Sequence, residues 1–565
     1  MIIPGTAQAQ HRDTDNVTFT VKIDGKEVNM DPGGVISISV SLEINRIPWA
    51  RIILSDGSVE NQKFEKADKD IFSPGKTVEI LLGYDQKTES VFKGIIIKQS
   101  IKILTGRAYR LEIECRDMMV QTTLVKNSRY FYSANDTDII KDIISNYTDL
   151  KTGKLENSNF KHEELVQYNV TDWDFMLLRA DANGMFINVA SGELFLAKPE
   201  VKSKADLQVQ FGQGKSGISL LEFESELDAR NHYPGVKGES WDYSQQKVAE
   251  ETAGNTSSSG GFSFSQVTSA LGSGGSAKKN FPEVLYKNQT VQLYHGGDLD
   301  SQELTAWAES KQKRGELSRV KGRVAIPGIK SNPGETLELN GISDRINGTH
   351  LITGVVHQIL KGHWRTDIQF GWDTELIAEK LLPGTSASGM VPGISGLHSG
   401  VVSNIEGDTR SGNHRIQVRI PFIAQNPNNK QSDGIWARLV NIYAGDKRGF
   451  IFRPEIGDEV IVGFINNDPN DALILGAVHS DKNISPDAIK LSDSNPLKGF
   501  IAKEGMQMLF DDDKNSIQLN TGGDNSPMIE LDGKGKKIRI MLDSSNSVEL
   551  SSSGVKVTGT RIDLN

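Results

Sequence analysis

The sequence is poor in cysteine and has no long apolar run, and both shortages limit what the protein can be. Cys115 is the only cysteine among 565 residues, so an internal disulfide and a cysteine-rich zinc site are both excluded. Residues 111–115 alternate as a strand does, which predicts that Cys115 is a small buried side chain. No stretch of about 18 apolar residues is available for a membrane-spanning helix.

A basic surface is also missing. The net charge is −10, and no basic stripe with interleaved aromatic residues occurs, so nucleic acid is not an expected partner. No cofactor is expected either. Gly75, Lys76 and Thr77 look like the end of a P-loop, but the pattern needs glycine at position 70, where Asp70 stands, and a strand pattern follows.

Motifs for catalysis and metal binding are absent from the sequence. The ten histidines are scattered and form no His-Glu-x-x-His pattern, and no Gly-x-Ser-x-Gly elbow occurs. We interpret His162, Glu163 and Glu164 as a solvated charge cluster. Residues 511–513 are three aspartates without the glycine and distal glutamate of a calcium loop, so we interpret them as a polar turn. The sequence therefore predicts neither a catalytic residue nor a metal ligand.

Glycine and strand-like alternation are abundant. The 55 glycines and the prevalence of period-two patterns predict a mainly β protein with many turns. Strand patterns in the first part of the chain indicate a barrel or sandwich; they cover residues 17–23, 35–42, 76–82, 91–97 and 109–115. Helical patterns predict three helices, at 136–147, 171–183 and 301–314, the last ending at Gly315.

Two segments rich in small residues divide the chain. Residues 253–280 are rich in serine and glycine and predict a flexible insertion, whereas 386–394 predict a linker between domains. The predicted domains are a β-rich unit over 1–385, a barrel of OB-fold size over 395–480, a connector over 481–510 and a stalk over 511–565. The first ten residues lack a basic region and an apolar core, so we expect no signal peptide and assembly in the cytoplasm.

The predicted barrel contains a clear hairpin at 453–479. Val460, Val462 and Phe464 share one face of a strand over 459–464, and Gly463 interrupts the opposite face. A turn over 466–469 and a second apolar run over 472–475 follow. Upstream, residues 415–420 alternate strictly. Their predicted inward side chains are Ile416, Val418 and Ile420, their outward ones are Arg415, Gln417 and Arg419, and Trp436 and Phe464 are predicted to fill the barrel.

Apolar pairs separated by one residue recur through the last part of the chain. They are Ile517 and Leu519, Ile529 and Leu531, Ile538 and Ile540, Val548 and Leu550, Val555 and Val557, and Ile562 and Leu564. Each pair predicts a short strand with one apolar face. Such strands in single file have too little partner surface within one chain, although a one-chain β-helix is conceivable. The economical arrangement is several identical chains wrapped around a common axis, each burying its stripe against the others, which predicts an intertwined trimeric β-helix or β-prism stalk.

Residues 453–479 closely resemble the signature of the VgrG family, the trimeric spike proteins of contractile injection machines. The resemblance rests on Arg453, Pro454, Gly457, Asp458, Glu459, Val460, Gly463, Phe464, Asp468, Pro469 and Gly476. Segments 72–84, 91–97 and 168–184 resemble hub motifs of the same family. The order of hub, barrel and stalk also resembles the fused hub and needle of contractile phage tails.

The resemblance implies a homotrimer with no enzymatic activity. Its implied partners are a hexameric inner-tube protein, baseplate proteins, separate effectors, and a PAAR-type tip protein that docks at Ile562, Leu564 and Asn565. The implied spike is assembled in the cytoplasm, punctures the target membrane mechanically and is then secreted or delivered. A type VI secretion system is the expected host, and a released phage-tail-like particle is the alternative.

Two alternative hypotheses assign the protein to other functional classes. A cell-wall hydrolase would need a catalytic constellation, and a carbohydrate-binding trimeric adhesin would need export. The sequence departs from the family pattern in three places. Residues 481–510 are too few for the lysozyme domain that some phage needles carry between barrel and stalk, residues 253–280 have no counterpart in the matched motifs, and the toxin that some VgrG proteins carry after the stalk is missing. No toxin follows the last apolar pair in this sequence, so we expect effectors to be separate proteins.

Overall fold

The computed structural model describes residues 16–105, 108–200, 202, 204–212, 217–228, 230–231, 233–242, 247–253, 289–295, 299–343, 345–377, 386–409, 414–421, 423, 434–489 and 492–563. The predicted insertion beyond Ala253 and the stalk residues Leu564 and Asn565 lie outside these ranges. The described residues form two compact units. One lies within Met1–Gly457 and Ile461–Gly476, and the other within Asp458–Val460 and Ala477–Asn565.

The hub, which we define as residues 16–377, is built mainly from strands, as the sequence predicts. Its first eight strands are β1 Val17–Ile23, β2 Lys26–Glu27, β3 Val35–Glu43, β4 Trp49–Ser55, β5 Thr77–Tyr84, β6 Lys87–Leu104, β7 Ala108–Arg116 and β8 Lys126–Asn135. The middle of the hub contains α1 Asp136–Ser145, β9 Lys151–Leu155, β10 Lys161–Thr171, α2 Asp172–Ala182, β11 Phe186–Ala190 and β12 Glu193–Ala197.

The remaining hub elements bring the chain back to the first sheet. They are β13 Leu207–Gln210, β14 Ile218–Ser219, β15 Glu222–Leu227, β16 Val236–Asp242, β17 Lys247–Thr252, β18 Val291–His295, α3 Ser301–Leu317, β19 Val320–Pro327, β20 Thr336–Asn340, β21 Gly348–Leu360 and β22 His363–Phe370. A large sheet runs in the order β14-β13-β20-β21-β3-β4-β7-β6-β5-β1-β2, so β21 pairs with β3 from the other end of the hub.

The alternation of side chains along each strand decides which of them are buried on the core face of this sheet. In β5, Val78, Ile80 and Leu82 are buried while the residues between them are partly exposed, as the period of two requires. Cys115 is also buried, and burial, aided by Glu114, raises the pKa of its thiol to about 12. The prediction that Cys115 is a small buried side chain is confirmed.

The first two predicted helices are confirmed, and a side chain caps the N-terminus of each. The Asn135 side chain accepts the Asp138 backbone N–H at 2.8 Å, and the Thr171 hydroxyl accepts that of Asp174 at 3.1 Å. None of the helices in the described part of the chain has the length and hydrophobicity that a membrane crossing needs.

The predicted end of the third helix is wrong. Gly315 lies inside α3, which continues to Leu317. A Cβ atom at position 315 would lie 2.3 Å from the Asn231 carbonyl oxygen, so the position needs glycine for close packing rather than for a stop.

The small barrel is confirmed. Its strands are β23 His398–Asn404, β24 Arg415–Arg419, β25 Ile435–Leu439, β28 Glu459–Phe464 and β29 Ala472–Ala477, and the short hairpin β26 Ala444–Gly445 and β27 Arg448–Gly449 extends from it. The barrel closes in the order β23-β24-β25-β29-β28, with β25 and β29 parallel. This is the strand order of an OB fold, and Ile416, Val418, Val460 and Val462 are buried in it.

The prediction that Phe464 and Trp436 fill the barrel is wrong, because both are only half-buried. The ring of Phe464 packs instead against His398, with 5.9 Å between ring centroids. The segment predicted as a linker is also packed. Ala387, Met390, Val391 and Ile394 are buried, and Ser386–Gly389 forms a 3-10 turn.

The second unit contains a seven-stranded sheet in which each strand pairs with its neighbour in the chain. The strands are β30 Leu497–Ile501, β31 Gln507–Asp511, β32 Ser516–Asn520, β33 Met528–Asp532, β34 Lys537–Asp543, β35 Asn546–Ser551 and β36 Gly554–Thr558. All six pairings are antiparallel. The sheet therefore begins at Leu497, inside the predicted connector, and Ile562 lies beyond its last strand.

Candidate functional sites: the stalk face and the hub–barrel joint

The register of the stalk sheet aligns the predicted apolar pairs into two ladders. Leu519 faces Ile529, which faces Ile540, and beside them Ile517 faces Leu531, which faces Ile538. The ladders continue through Val548 and Val557 and through Leu550 and Val555. The first ladder also extends back to Met508 and Phe500, in strands that the sequence analysis placed in the connector.

This apolar face is open in the single chain. Most ladder residues from Leu519 onward are between 41% exposed, at Leu550, and 68% exposed, at Val555, whereas Val548 is half-buried. In β33 and β34 the isoleucine and leucine side chains are exposed, while the side chains between them, which are polar except for Met528 and Met541, are half-buried. Large exposed apolar patches on soluble proteins mark interaction sites, so this face is the candidate binding surface of the stalk.

The opposite face of the same sheet is polar and internally paired. Gln518 donates to Glu530 at 2.9 Å, and Arg539 lies between Glu530, at 3.3 Å, and Glu549, at 3.0 Å. Side-chain pairs directly across neighbouring strands stabilise a sheet by about 0.2–1 kcal/mol each. This face is suited to water, which leaves the apolar face as the one that needs a partner.

The turn in the middle of the signature hairpin forms what we call the hub–barrel joint. Asn466 and Asn467 have left-handed backbone conformations, with φ of 52° and 59°. Their side chains donate to Ser388 and Ser386, and the Asn467 carbonyl accepts the Ile394 N–H at 2.8 Å. The signature turn therefore holds the segment that precedes the barrel.

A histidine from the hub completes this joint. His295, at the end of β18, is buried, and its Nε2 lies 2.8 Å from Oδ2 of the buried Asp468. Asp471 lies beside them, and one ligand atom from each of the three residues falls within 4.8 Å of the others. His295 and Asp468 are 173 positions apart, so no local spacing in the sequence could reveal the pair.

A buried charge cluster supports the joint from inside the hub. Arg179 donates to both Asp136 oxygens, at 2.7 and 3.1 Å, and to Glu303 at 2.8 Å. Its third nitrogen donates to the Met390 carbonyl at 2.9 Å, in the segment that precedes the barrel. Burial alone would raise the pKa of Asp136, but the charges of Arg179 and His162 and their hydrogen bonds hold it well below its usual range.

The interpretation of His162, Glu163 and Glu164 as a solvated cluster is wrong for His162 and Glu164, whereas Glu163 is exposed. His162 is buried and contacts Asp136 at 3.1 Å. Glu164 lies 3.6 Å from Arg415, which is itself buried although it points out of the barrel. Gln417 is buried too, so the outward-facing side of β24 meets protein rather than solvent, as the sequence analysis did not predict.

The other signature residues serve the barrel backbone or its surface. Gly457 has a φ of +96° and donates its N–H to the Val402 carbonyl, so a left-handed turn requires it. Gly463 is packed against Leu397 and Leu475. Arg453 is exposed, Pro454, Asp458, Glu459 and Gly476 are half-buried, and Pro469 is buried. The described residues of the signature do not converge on a cleft.

Comparison with known proteins agrees with this architecture. Residues 13–361, more than half of the chain, match the family described as the Alg8 N-terminal domain. Residues 398–479, which cover the barrel, match the type VI secretion system/phage-baseplate injector OB domain.

Individual relatives are spike proteins. The chain is 22% identical over 485 residues to the type VI secretion system spike protein VgrG1b of Pseudomonas aeruginosa, a match to 81% of this chain and 62% of the relative. VgrG1c of the same organism is also 22% identical, over 486 residues, with 81% of this chain and 63% of the relative covered. The chain thus spans less than two thirds of these relatives' length.

One solved structure shares the fold over nearly the whole chain. A chain of the lidded Francisella PdpA–VgrG complex superposes with a TM-score of 0.56 at 11% identity, with 97% of this chain and 80% of that chain covered.

Proposed function

Because the chain belongs to the family of the Alg8 N-terminal domain and to the VgrG family of spike proteins, we propose that it is the piercing spike of a contractile injection machine. The open apolar face of the stalk carries this proposal. A spike is driven by an external sheath, so it needs a narrow, stiff shape and no active site. A type VI secretion system is the proposed host.

The proposed assembly is a homotrimer in which three stalk sheets form the sides of a prism. Backbone hydrogen bonds in the described stalk run between strands of one chain, so the remaining need is to cover side chains. Identical copies around an axis meet this need with the same ladder on each side and leave the polar face to water. Each ladder side chain that becomes fully buried contributes up to about 1.5–3 kcal/mol, which makes a stiff prism.

The remaining partners are proposed from the family. The hub of the trimer docks on an inner tube of hexameric rings within the baseplate, since threefold symmetry is compatible with sixfold symmetry. A PAAR-type tip protein caps the stalk near Ile562, Leu564 and Asn565. Effectors travel as separate proteins on the spike, tip or tube, and the spike passes from the cytoplasm to the target cell.

The tip proposal is tested by deleting all residues after Leu550. The shortened chain should keep the melting transitions of the hub and barrel but fail to retain a PAAR-type tip protein in a pull-down. The full-length chain with Glu530→Gln, on the polar face of β33, is the control and should retain the tip. Retention of the tip by the shortened chain would show that the docking site is elsewhere.

A further inference from the structure

We propose that His295, Asp468 and Asp471 form a site for a divalent transition-metal ion of the Zn²⁺ class. The ion would fasten strand β18 of the hub to the signature turn of the barrel. This proposal is independent of the trimer and of the tip.

The ligand atoms are already gathered for coordination. The Nε2 of His295 and the Oδ2 of Asp468 are 2.8 Å apart, and all three ligand atoms lie within 4.8 Å of one another. Bonds of about 2.0–2.2 Å to a tetrahedral ion place neighbouring ligand atoms about 3–3.5 Å apart. Small side-chain movements, with no backbone rearrangement, would admit the ion.

The donor set suits a zinc-like ion. One imidazole nitrogen and two carboxylates supply three protein ligands of the types that Zn²⁺ accepts, with a fourth position left for water. The side chains of His295 and Asp468 are only 2% and 4% exposed, so bulk water does not compete strongly for the ion.

The surrounding turn holds the central ligand in place. Oδ1 of Asp468 accepts the Asn470 N–H at 2.9 Å, which leaves Oδ2 of Asp468 for the ion. The Asp471 N–H donates to the Asp468 carbonyl at 3.0 Å and fixes the position of Asp471. Such outer hydrogen bonds orient metal ligands and raise metal affinity.

A second observation points to a small ligand beside this turn. The side-chain oxygen of Asn470 is buried and has no hydrogen-bond partner in the described residues. A cavity of about 10 Å³ is lined by Asn470 and Asp471, among others, which is room for about one water molecule. A metal-bound water would use this space.

The alternative is that the same residues bind no metal ion and are held together by charge alone. Arg415 and Arg438 also line the cavity, and their positive charges favour a carboxylate without an added cation. In that case His295 and Asp468 are a buried ion pair and Asp471 has no part in metal binding. The variant Asp471→Asn separates the two arrangements, because it keeps the His295–Asp468 pair and removes the carboxylate of the third ligand.

The test is metal binding by the full-length chain. The protein is stripped with a chelator and titrated with Zn²⁺ by calorimetry, with bound metal counted by mass spectrometry and Co²⁺ used as a spectroscopic probe. We expect one ion per chain, and at least about tenfold weaker binding for His295→Ala and for Asp471→Asn. His363→Ala, at an exposed histidine of β22, is the control and should bind like the unaltered chain.

Two results would overturn the proposal. One is an unaltered chain that binds no stoichiometric Zn²⁺. The other is an Asp471→Asn chain that binds Zn²⁺ as tightly as the unaltered chain. Melting curves of each variant without metal establish that it is folded, and Asp471→Asn is the conservative change if His295→Ala fails to fold.

Discussion

At the level of single residues, the hub depends on buried charges whose partners come from distant segments. Arg179 joins Asp136, 43 positions away, and Glu303, 124 positions away. Charged residues that follow one another usually lie at the surface, so the sequence pattern places the neighbouring His162 in solvent. Only the packing of α1, α2, α3 and β10 against one another reveals the cluster, so this part of the structure could not be predicted from sequence pattern.

Replacing Arg179 by methionine should destabilise the hub strongly. The change leaves the carboxylates of Asp136 and Glu303 buried without their cation, which costs about 3–5 kcal/mol. The measurement is the apparent melting temperature of the hub. Arg46→Met is the matched control, since Arg46 pairs with Glu43 on the surface with its side chain 72% exposed, and it should cost about 0–1 kcal/mol. Equal effects of the two changes would contradict the assignment.

The buried His357 should make hub stability depend on pH. Burial, followed by the charge of Lys330, lowers its pKa to about 3, whereas an unfolded chain has a histidine pKa of about 6.5. The unfolded state therefore binds more protons between these values, so stability is complete above pH 6.5 and is lost as the pH falls toward 3.

The variant His357→Gln should reduce this loss between pH 6.5 and 5, where few carboxylates titrate. Melting temperatures of both proteins across this range provide the measurement. His363→Gln, at the exposed end of β22, should leave the pH dependence unchanged. A slope that is the same in the His357→Gln variant as in the unaltered chain would show that His357 is not the group responsible.

At the level of secondary-structure elements, local signals predicted what local forces determine. The bounds of β1 and β28 agree with the prediction because each strand depends on its own alternating residues, and α1 and α2 lie where the helical patterns predict them, each capped by the residue that precedes its first turn. The end of α3 was missed because Gly315 is required by the Asn231 carbonyl, far away in the sequence. The orientation of Phe464 was missed because the ring of His398 draws it out of the barrel.

Val460 and Phe464 lie on the same strand, β28, but differ in burial, so the same substitution should affect them differently. Val460→Asp should unfold the barrel, because it buries an unpaired carboxylate at a site with no exposure and costs about 4 kcal/mol or more. Phe464→Asp, on the same strand, should be much milder because that side chain is half-buried. The measurement is the barrel transition in thermal unfolding followed by tryptophan fluorescence. If both changes unfolded the barrel equally, Phe464 would belong to its interior.

At the level of the whole molecule, the sequence shows that a stalk sheet exists but not how its strands pair. The recurring pairs predicted one apolar face per strand, and the register aligns them into the two ladders. The sequence does not show whether the stalk strands pair within one chain or between chains, and in the described stalk they pair within one chain. The apolar ladders of the described stalk are still exposed, and a trimer is the proposed arrangement that would cover them.

The mass of the purified chain in solution, measured by light scattering, tests whether three stalk sheets close around a common axis. We expect a stable species of three chains. We also expect that Leu531→Asp, in the apolar ladder, reduces the mass to one chain with the hub still folded, whereas Glu530→Gln, beside it on the polar face, leaves the trimer intact. A folded monomer of the unaltered chain would rule out the trimer, because its apolar ladders would then need no partner copy.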